Sequence, residues 1–314
     1  MDFPSCGLRS IMELLWTSPE KVLPLLAVCK LLYKWRYSYQ IVSQRKCDLC
    51  PNNQAKKRFG QNFLADKDII DQIIEIIAPK YLDNLVEIGP GKGALTERLL
   101  QFCPRLWTIE IDRDLAHFLK QKFVHHKNFF VAESDALKIN FSRNFAPLPI
   151  RIVGNLPYNI ATPLIFHLIR HRDVIKDMLF MLQLEVAQRI HAKPYSKAYG
   201  RLTVMVQYFC EVFPMLSVPP SAFHPTPKVT SCFVRLIPRK RINPNAEDEL
   251  MLAHLVTTCF QQRRKTLRNS LRRFCSEPDE FFPAIDLNLR PDQISVKDYV
   301  YLSNQLTNLN VHTN

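Results

Sequence analysis

The sequence predicts an α/β fold in which a mainly parallel sheet is covered by helices and is followed by a small all-helical C-terminal domain. Between residues 55 and 238, short β-rich runs alternate with amphipathic helical patterns, and this alternation is typical of parallel sheets. A Gly-rich turn follows the first β-rich run and opens a helical pattern. From about residue 239 onward the patterns are helical. Together these observations predict a Rossmann-like sheet with a helical appendage.

Seven β-rich runs define the expected sheet. Five are expected to form its parallel part: residues 85–88, 106–111, 129–132, 151–153 and 178–182. Two more, residues 211–218 and 229–236, are joined by a Pro-rich loop. Such a pair predicts an antiparallel hairpin at the edge of the sheet.

The chain divides into three parts by pattern. Residues 1–54 form an N-terminal extension of unknown role, residues 55–238 form the α/β domain, and residues 239–314 form the helical domain after a charged, Pro-containing linker. The extension is interpreted either as an accessory helix or as the product of an upstream start, with Met12 as another candidate start. A mitochondrial transit peptide is disfavoured because the segment contains acidic residues and few Arg residues.

The charge balance indicates a polyanionic partner. Forty-two Lys and Arg residues oppose 29 Asp and Glu residues, which gives a formal net charge of +13 and a pI near 9.4. A surplus of this size favours binding to nucleic acid or to an anionic membrane surface, since each neutralised phosphate releases condensed counterions.

Cysteine usage and the absence of targeting patterns predict a soluble, cytoplasmic protein. The nine Cys residues are odd in number, and most lie in apolar runs, where free Cys acts as a small hydrophobe. The apolar stretches are too short to cross a bilayer. Cys47 and Cys50 have metal-ligand spacing, but no second Cys or His pair follows at a suitable distance, so we expect no metal.

The Gly-rich turn predicts a nucleotide-type cofactor site. Gly89, Gly91 and Gly93 follow a β-rich run and precede a helical pattern, and Gly lets the backbone turn sharply and approach a ligand. Gly89, Gly91 and Ala94 also satisfy the relaxed dinucleotide-binding fingerprint. The turn alone therefore leaves the cofactor open.

Acidic residues at successive strand ends narrow the choice of cofactor. Glu110 follows the turn by about twenty residues, where a carboxylate accepts hydrogen bonds from ribose hydroxyls. Asp135 follows the third strand and is suited to accept from an adenine amino group. Glu87, just before the glycines, suits a cofactor with an amino group and a positive sulfonium better than one with a pyrophosphate. S-adenosylmethionine has these features.

The tetrapeptide from Asn155 to Tyr158 predicts methylation of an exocyclic amine. Pro157 fixes its own φ and biases Leu156 towards an extended conformation. The Asn155 side-chain oxygen and the Leu156 carbonyl are candidate acceptors for the two N–H bonds of a base amine, and Tyr158 is a candidate stacking surface. Acceptors on those bonds favour the nucleophilic geometry of an amine whose lone pair is otherwise delocalised into the ring.

A basic segment predicts an RNA-binding face. Between Lys228 and Cys275 there are eleven Lys and Arg residues and three acidic ones. We expect residues 261–273 to form one helix in which Arg264, Arg268 and Arg272, spaced by four residues, form a ridge for phosphates.

Five segments in order resemble the bacterial small-subunit ribosomal RNA adenine dimethyltransferase family. They are residues 56–64, 87–93, 155–158, 223–229 and 260–269. The resemblance implies a Rossmann-like S-adenosylmethionine-binding catalytic domain over residues 55–238 and an RNA-contacting helical domain over 239–314. It implies dimethylation of two adjacent adenosines near the 3′ end of 16S rRNA in the small ribosomal subunit, with a role in ribosome biogenesis. The protein is then expected to be a monomer that does not associate with a membrane.

The resemblance also implies site residues. The cofactor is expected to contact residues contributed by several segments: Asn62, Leu64, Gly89, Glu110, Asp135 and Asn155. The base is expected near Asn155, Leu156 and Tyr158. Phe223 is expected either to stack on the base, worth about 1–3 kcal/mol, or to pack in the core under its loop, and the sequence leaves these alternatives open.

Three other functions remain compatible with parts of the sequence. An NAD-dependent oxidoreductase explains the Gly-rich turn but leaves the tetrapeptide at residues 155–158 and the basic segment without a role. A non-catalytic ribosome-assembly factor is disfavoured because the motif residues are present. Within the enzyme class, the alternative is methylation of a large-subunit rRNA adenosine.

Overall fold

The computed structural model describes residue 56 and residues 60–103, 105–145 and 149–312. The expectations for residues 1–54, including Met12, Cys47 and Cys50, lie outside these residues. The strands, in chain order, are β1 Phe63–Leu64, β2 Asn84–Ile88, β3 Leu106–Glu110, β4 Phe129–Glu133, β5 Ile150–Asn155, β6 Ile175–Gln183, β7 Cys210–Val218, β8 Phe223–His224 and β9 Ser231–Pro238. The α-helices are α1 Lys67–Ile77, α2 Ala94–Leu99, α3 Arg113–Lys122, α4 Phe141–Phe145, α5 Ala161–Ile169, α6 Leu184–His191, α7 Arg201–Phe209, α8 Glu249–Gln261, α9 Leu267–Leu271, α10 Pro278–Phe281 and α11 Val296–His312.

Seven strands form one mixed sheet in the order β4-β3-β2-β5-β6-β9-β7. Strands β2 to β6 pair in parallel, and β9 pairs antiparallel with both β6 and the edge strand β7. The predicted parallel strands and the predicted edge hairpin are therefore confirmed. The strand order reverses at β2, which lies between β3 and β5, and ligands bind in such sheets at the carboxyl ends of the strands beside the reversal.

The central strands form because they are apolar on both faces. In β5, Ile150, Ile152 and Val153 are buried, as are Leu85 and Val86 in β2. One apolar cluster lies on one side of the sheet and extends into the C-terminal helices. Another cluster packs α1 and α2 onto the opposite side. A sheet covered on both faces needs continuous apolar strands rather than alternating ones.

Acidic caps fix where two helices beside the sheet begin. Asp66 accepts hydrogen bonds from the backbone N–H groups of Asp68 and Ile69 at the start of α1. Asp112 caps α3 in the same way through the N–H of Asp114. Each cap satisfies helix donors that lack an intrahelical partner, and the cap of α3 lies two residues after the end of β3.

The predicted continuous helix over residues 261–273 is wrong. Helix α8 ends at Gln261, a turn follows, and the short helix α9 begins at Leu267. The backbone N–H groups of Leu267 and Arg268 donate to the carbonyls of Leu289 (2.7 Å) and Leu287 (3.0 Å). These bonds to a distant loop replace the intrahelical bonds that a continuous helix needs, so Arg264, Arg268 and Arg272 do not belong to one continuous helix.

No helix within the described residues is long and apolar enough to cross a membrane. The same part of the chain contains no group of three or more His, Cys, Asp or Glu side chains arranged to hold a metal ion.

Candidate active site

A cavity of about 400 Å³ lies at the carboxyl ends of β2, β3, β4 and β5. Each of these strands contributes lining residues at or just after its last position. The residues that line the cavity include all six predicted from the sequence to hold the cofactor: Asn62, Leu64, Gly89, Glu110, Asp135 and Asn155. The volume falls within the range of small-molecule sites, roughly 300–1,000 Å³.

The Gly-rich turn brings backbone to the cavity wall. Gly89 and Gly91 have φ of 68° and 58°, which L side chains rarely adopt. A Cβ at Gly91 would lie 2.9 Å from the Phe63 ring, and one at Gly89 would lie 3.5 Å from the Asn155 carbonyl oxygen. A side chain at Gly91 would therefore displace the segment that closes the cavity on that side.

Glu110 presents a carboxylate of fixed orientation. Its Oε2 accepts from the Gly91 N–H (3.1 Å) and its Oε1 from the Asp112 N–H (2.9 Å). The side chain is only 5% exposed, and burial raises the pKa of Glu110 above its ordinary value, although hydrogen bonds from backbone N–H groups, those of Asp112 and Gly91 foremost, oppose the rise. Each carboxylate oxygen keeps a further lone pair, which suits the predicted contact with ribose hydroxyls.

Glu87 is the most buried acid of the cavity. It is 1% exposed, and its Oε2 accepts a 2.6 Å hydrogen bond from the Thr96 hydroxyl in α2. Burial raises the pKa of Glu87 to about 7; the Thr96 hydrogen bond opposes this and the Glu110 charge adds to it. The carboxyl group therefore changes its charge near neutral pH.

Asp135 lies at the cavity wall beyond β4. Its Oδ1 accepts from the Leu137 N–H at 3.0 Å and caps the 3₁₀ turn Ala136–Lys138. This bond fixes the side chain at the edge of the cavity, as the adenine contact predicted from the sequence requires.

The segment after β5 supplies polar and aromatic groups together. The Asn155 Nδ2 donates to the Asn62 carbonyl at 2.9 Å, so Oδ1 is left as the acceptor of that amide. Within the described residues, Oδ1 accepts no hydrogen bond. The Tyr158 hydroxyl shares a 2.7 Å hydrogen bond with the Ser231 hydroxyl in β9. Asn155, Leu156 and Tyr158 all line the cavity.

Phe223 lies in the core rather than in the cavity wall. It is 3% exposed and packs in the cluster with α1 and α2. Strand β8 pairs with β1, so that Leu64 faces Phe223 and Phe63 faces His224. The packing alternative of the sequence analysis describes this arrangement, and stacking by Phe223 stays a prediction.

His224 is a cavity residue that the sequence analysis missed. It lines the cavity because side chains alternate along a strand and its neighbour Phe223 takes the core side. The two-residue pairing of β1 with β8 that fixes this alternation joins segments about 160 residues apart. The available signal in the sequence was an apolar Phe followed directly by a polar His, which a strand places on opposite sides.

The predicted RNA-contacting arginines lie on two elements, with Arg264 in the turn after α8 and with Arg268 and Arg272 in and directly after α9. Arg264 and Arg272 are exposed. Arg268 forms an ion pair with Asp279 and donates to the Asn288 amide oxygen at 3.2 Å. Lys56 forms ion pairs with Asp112 (2.7 Å) and Asp114 (2.6 Å).

A protein-family model, described as Ribosomal RNA adenine dimethylase, matches residues 52–308. The chain belongs to this family. It is 48% identical over 266 residues to the ribosomal RNA small subunit methyltransferase A of Saccharophagus degradans, a match that covers 84% of this chain and 99% of that protein. A protein of the same name from Histophilus somni is 50% identical over 259 residues, covering 80% of this chain and 92% of that protein.

Solved structures of similar fold include a dimethyladenosine transferase and a 23S rRNA methyltransferase. A dimethyladenosine transferase from Plasmodium falciparum matches with a TM-score of 0.68 and 28% identity, covering 80% of this chain and 98% of that chain. The 23S rRNA methyltransferase ErmE matches with a TM-score of 0.61 and 26% identity, covering 78% of this chain and all of that one. The Rossmann-like methyltransferase sheet with a helical C-terminal region, predicted from the sequence, is confirmed.

The cavity of this adenine dimethylase family member fits S-adenosylmethionine, the cofactor of the family. Two glycines remove the side chains that would fill the turn, and a fixed carboxylate at Glu110 faces the space where ribose hydroxyls need acceptors. Glu87 supplies a negative charge beside the turn when it is ionised. These features match a cofactor that carries a ribose, an adenine and a cationic amino-acid part.

Proposed function

We propose that this protein dimethylates the exocyclic amines of two adjacent adenosines near the 3′ end of 16S rRNA, within the small ribosomal subunit. Membership of the family makes the protein an S-adenosylmethionine-dependent rRNA adenine dimethyltransferase. One observation carries the proposal: four parallel strands end around a single cavity, where the glycine turn, Glu110, Asp135 and the segment from Asn155 to Tyr158 meet.

The amine is activated by acceptors rather than by a dedicated base. The Asn155 amide is held by the Asn62 carbonyl, so that Oδ1 accepts one N–H of the adenine amine, and the Leu156 carbonyl accepts the other. With both N–H bonds engaged, the nitrogen lone pair points away from the ring plane and towards the methyl donor. Bound S-adenosylmethionine supplies the electrophilic methyl group.

Orientation accounts for much of the rate. Holding two reactants in line converts a bimolecular step into an effectively unimolecular one, worth about 7–11 kcal/mol in favourable cases. Tyr158 provides an aromatic face for the adenine, and its hydrogen bond to Ser231 fixes the ring against β9. The ammonium formed by methyl transfer is acidic and loses one proton to water, which restores the lone pair of the nitrogen. The monomethylated amine keeps one N–H for one of the two acceptors, and a second molecule of S-adenosylmethionine would supply the second methyl group.

The small subunit is favoured over the large subunit by sequence similarity. The relatives that match at 48–50% identity carry the name small subunit methyltransferase A, whereas the 23S rRNA methyltransferase ErmE is 26% identical. We infer a cytoplasmic monomer from the same relationship. Methylation of a large-subunit adenosine remains the second candidate, supported by the TM-score of 0.61.

The helical region after residue 238 is proposed to contact the RNA. Arg264 and Arg272 are exposed there, and Arg suits phosphate because its planar fork matches the anion. The ion pair of Arg268 with Asp279 leaves Arg268 a smaller part in phosphate binding than the sequence analysis expected.

The test is methyl transfer to small ribosomal subunits that lack the adenosine dimethylation. The purified protein is incubated with labelled S-adenosylmethionine and these subunits, and the modified nucleoside is identified after digestion. We expect dimethyladenosine with the parent protein and at least a hundredfold slower transfer with Asn155→Ala, since an acceptor that orients the amine is lost.

Two controls separate the steps. The first control measures cofactor binding of Asn155→Ala by calorimetry, because Asn155 also lines the cavity. The second control is Lys120→Ala, which changes an exposed residue on the outer face of α3 and is expected to transfer methyl groups at the parent rate. Transfer to large subunits but not to small ones would contradict the substrate assignment and favour the second candidate.

A further inference from the structure

A surface outside the cavity combines an exposed aromatic ring with cations. It consists of the loop of residues 192–200, which follows α6, and the turn of residues 262–266, which follows α8; we call it the Tyr195 surface. Exposed and covered side chains alternate along the loop, and Lys193, Tyr195 and Lys197 are the exposed ones at its centre. Among the described residues that line the cavity, none belongs to this loop or this turn.

Arg263 holds the two segments together. Its Nη2 donates to the Lys197 carbonyl at 2.8 Å and forms an ion pair with Asp292 at 3.2 Å. The Tyr195 N–H donates to the Asp292 carbonyl at 2.8 Å, and the buried Tyr199 hydroxyl donates to the Ile294 carbonyl at 2.8 Å. The loop and the turn therefore form one surface of fixed shape.

Neither the backbone conformation nor the exposure of Tyr195 favours folding. Its φ is 72°, a left-handed conformation in which a bulky residue is an outlier. Its side chain is 67% exposed. In the part of the chain that the structure describes, its ring stacks on no other ring and its hydroxyl makes no hydrogen bond. The ring thus gains little from burial and presents its faces to solvent.

The exposed charges of the Tyr195 surface are of one sign. Five exposed cations belong to the two segments or follow the loop directly, and their side chains have no ion pair or hydrogen bond within the described residues: Lys193, Lys197, Arg201, Arg264 and Lys265. Asp292, which contacts both segments, is already paired with Arg263. Such a group of like charges repels itself and attracts a polyanion.

We propose that the Tyr195 surface contacts the RNA outside the cavity. There Tyr195 stacks on an unpaired base of the substrate rRNA, while the flanking cations bind the adjoining phosphates. The proposal rests on the proposed function, which supplies the RNA. Aromatic side chains stack on bases of any sequence, and basic residues beside them follow the backbone of the strand. The contact adds affinity for the RNA without touching the reacting atoms.

The experiment measures binding of the full chain to small ribosomal subunits that lack the dimethylation. We expect Tyr195→Ala to weaken binding roughly tenfold, and Tyr195→Phe, which keeps the ring, to bind within about twofold of the parent. Tyr81→Ala is the matched control, because Tyr81 is 71% exposed in the turn before β2, outside the Tyr195 surface. Binding of S-adenosylmethionine is expected to be unchanged in all three variants.

Tyr195→Gly separates the role of the ring from a structural role. Gly adopts positive φ readily, so this variant is expected to unfold at the parent temperature or above while binding the subunits as weakly as Tyr195→Ala. A structural role would move stability and binding in the same direction.

Each outcome is informative. Parent-like binding by Tyr195→Ala, or equal losses in Tyr195→Phe and Tyr195→Ala, would overturn the stacking proposal while leaving methyl transfer by the parent intact. Binding of the subunits by the parent without methyl transfer would contradict the proposed function alone, and the comparison of the Tyr195 variants would still decide the contact. If the parent bound no subunits, both proposals would fail.

Discussion

At the scale of single residues, Glu87 couples the cofactor site to pH. The carboxyl group lies 1% exposed beside Glu110 and Thr96, and no basic side chain is among the groups that shift its pKa. Its pKa rises from an ordinary 4.5 to about 7 because burial disfavours the charged form. A cationic ligand beside it favours the ionised form instead.

The raised pKa makes stability fall as pH rises through this window. Between about pH 4.5 and 7 the folded protein holds a proton on Glu87 that the unfolded chain has lost, so the unfolding free energy decreases with rising pH. We expect Glu87→Gln to be more stable than the parent at pH 8 by on the order of 2–3 kcal/mol, and to differ little from it at pH 5. Urea unfolding at both pH values measures this.

Binding of S-adenosylmethionine supplies the control for the same variant. Affinity is expected to increase with pH through about 7 in the parent and to lose this increase in Glu87→Gln, since the neutral amide cannot ionise. A difference in stability between parent and variant that stays constant from pH 5 to pH 8 would contradict the assigned pKa.

The site residues differ in how far sequence could predict them. Glu110, Asp135 and Asn155 were predictable because parallel strands bring their carboxyl ends to one edge of the sheet, and each lies at or just after the end of a recognisable β-rich run. Two other features depend on contacts between segments far apart in the chain. They are the hydrogen bond from the Asn155 amide to the Asn62 carbonyl and the position of His224 in the cavity. Local patterns carry no signal for such contacts.

At the scale of elements, the pairing of β2 with β5 requires glycine at position 154. A Cβ at Gly154 would lie 2.3 Å from the Ile88 carbonyl oxygen and 3.3 Å from the Leu156 side chain. Backbone cannot yield as a flexible side chain does, so the strands would separate where the cavity begins. We expect Gly154→Ala to lower the unfolding free energy by about 2–3 kcal/mol and to weaken cofactor binding, measured by urea unfolding and calorimetry.

Gly200→Ala is the matched control for this substitution. Gly200 has extended backbone, with φ of −165°, and a Cβ there would meet no heavy atom within 4 Å. Its stability is expected to stay within about 0.5 kcal/mol of the parent. Equal effects of the two substitutions would show that the close approach of β2 and β5 does not limit position 154.

The basic segment shows why one predicted element failed. Leu267 and Leu271 have the spacing of a buried helical face, and both are fully buried in α9. The same periodicity continued back to residue 261 and gave no sign of the break. The break depends on the carbonyls of Leu287 and Leu289, whose position is set by the fold of the C-terminal region and not by the segment itself.

At the scale of the whole molecule, the sheet and the C-terminal helices share one apolar core. A single cluster contains Ile152 of β5, Leu236 of β9, Leu255 of α8 and Leu302 of α11. The Ala246 N–H donates to the buried Tyr208 hydroxyl at 3.0 Å across the proposed domain boundary at residue 238. We therefore propose that the catalytic and RNA-contacting parts fold together, which fixes the basic surfaces relative to the cavity.

The net charge of +13 acts on RNA through individual phosphate contacts, and the salt dependence of binding counts them. The logarithm of affinity falls linearly with the logarithm of salt concentration, with a slope of about −0.7 to −0.9 for each phosphate neutralised. Arg272 is exposed, so we expect Arg272→Gln to reduce the slope for binding to small subunits by about one contact.

Arg268 is the matched control four residues away, because its ion pair with Asp279 and its bond to Asn288 already engage the guanidinium. Arg268→Gln is expected to leave the slope nearly unchanged and to lower stability by up to about 1 kcal/mol; a larger change of slope for Arg268→Gln than for Arg272→Gln would show that the RNA displaces Asp279 and that the predicted contact at Arg268 is real.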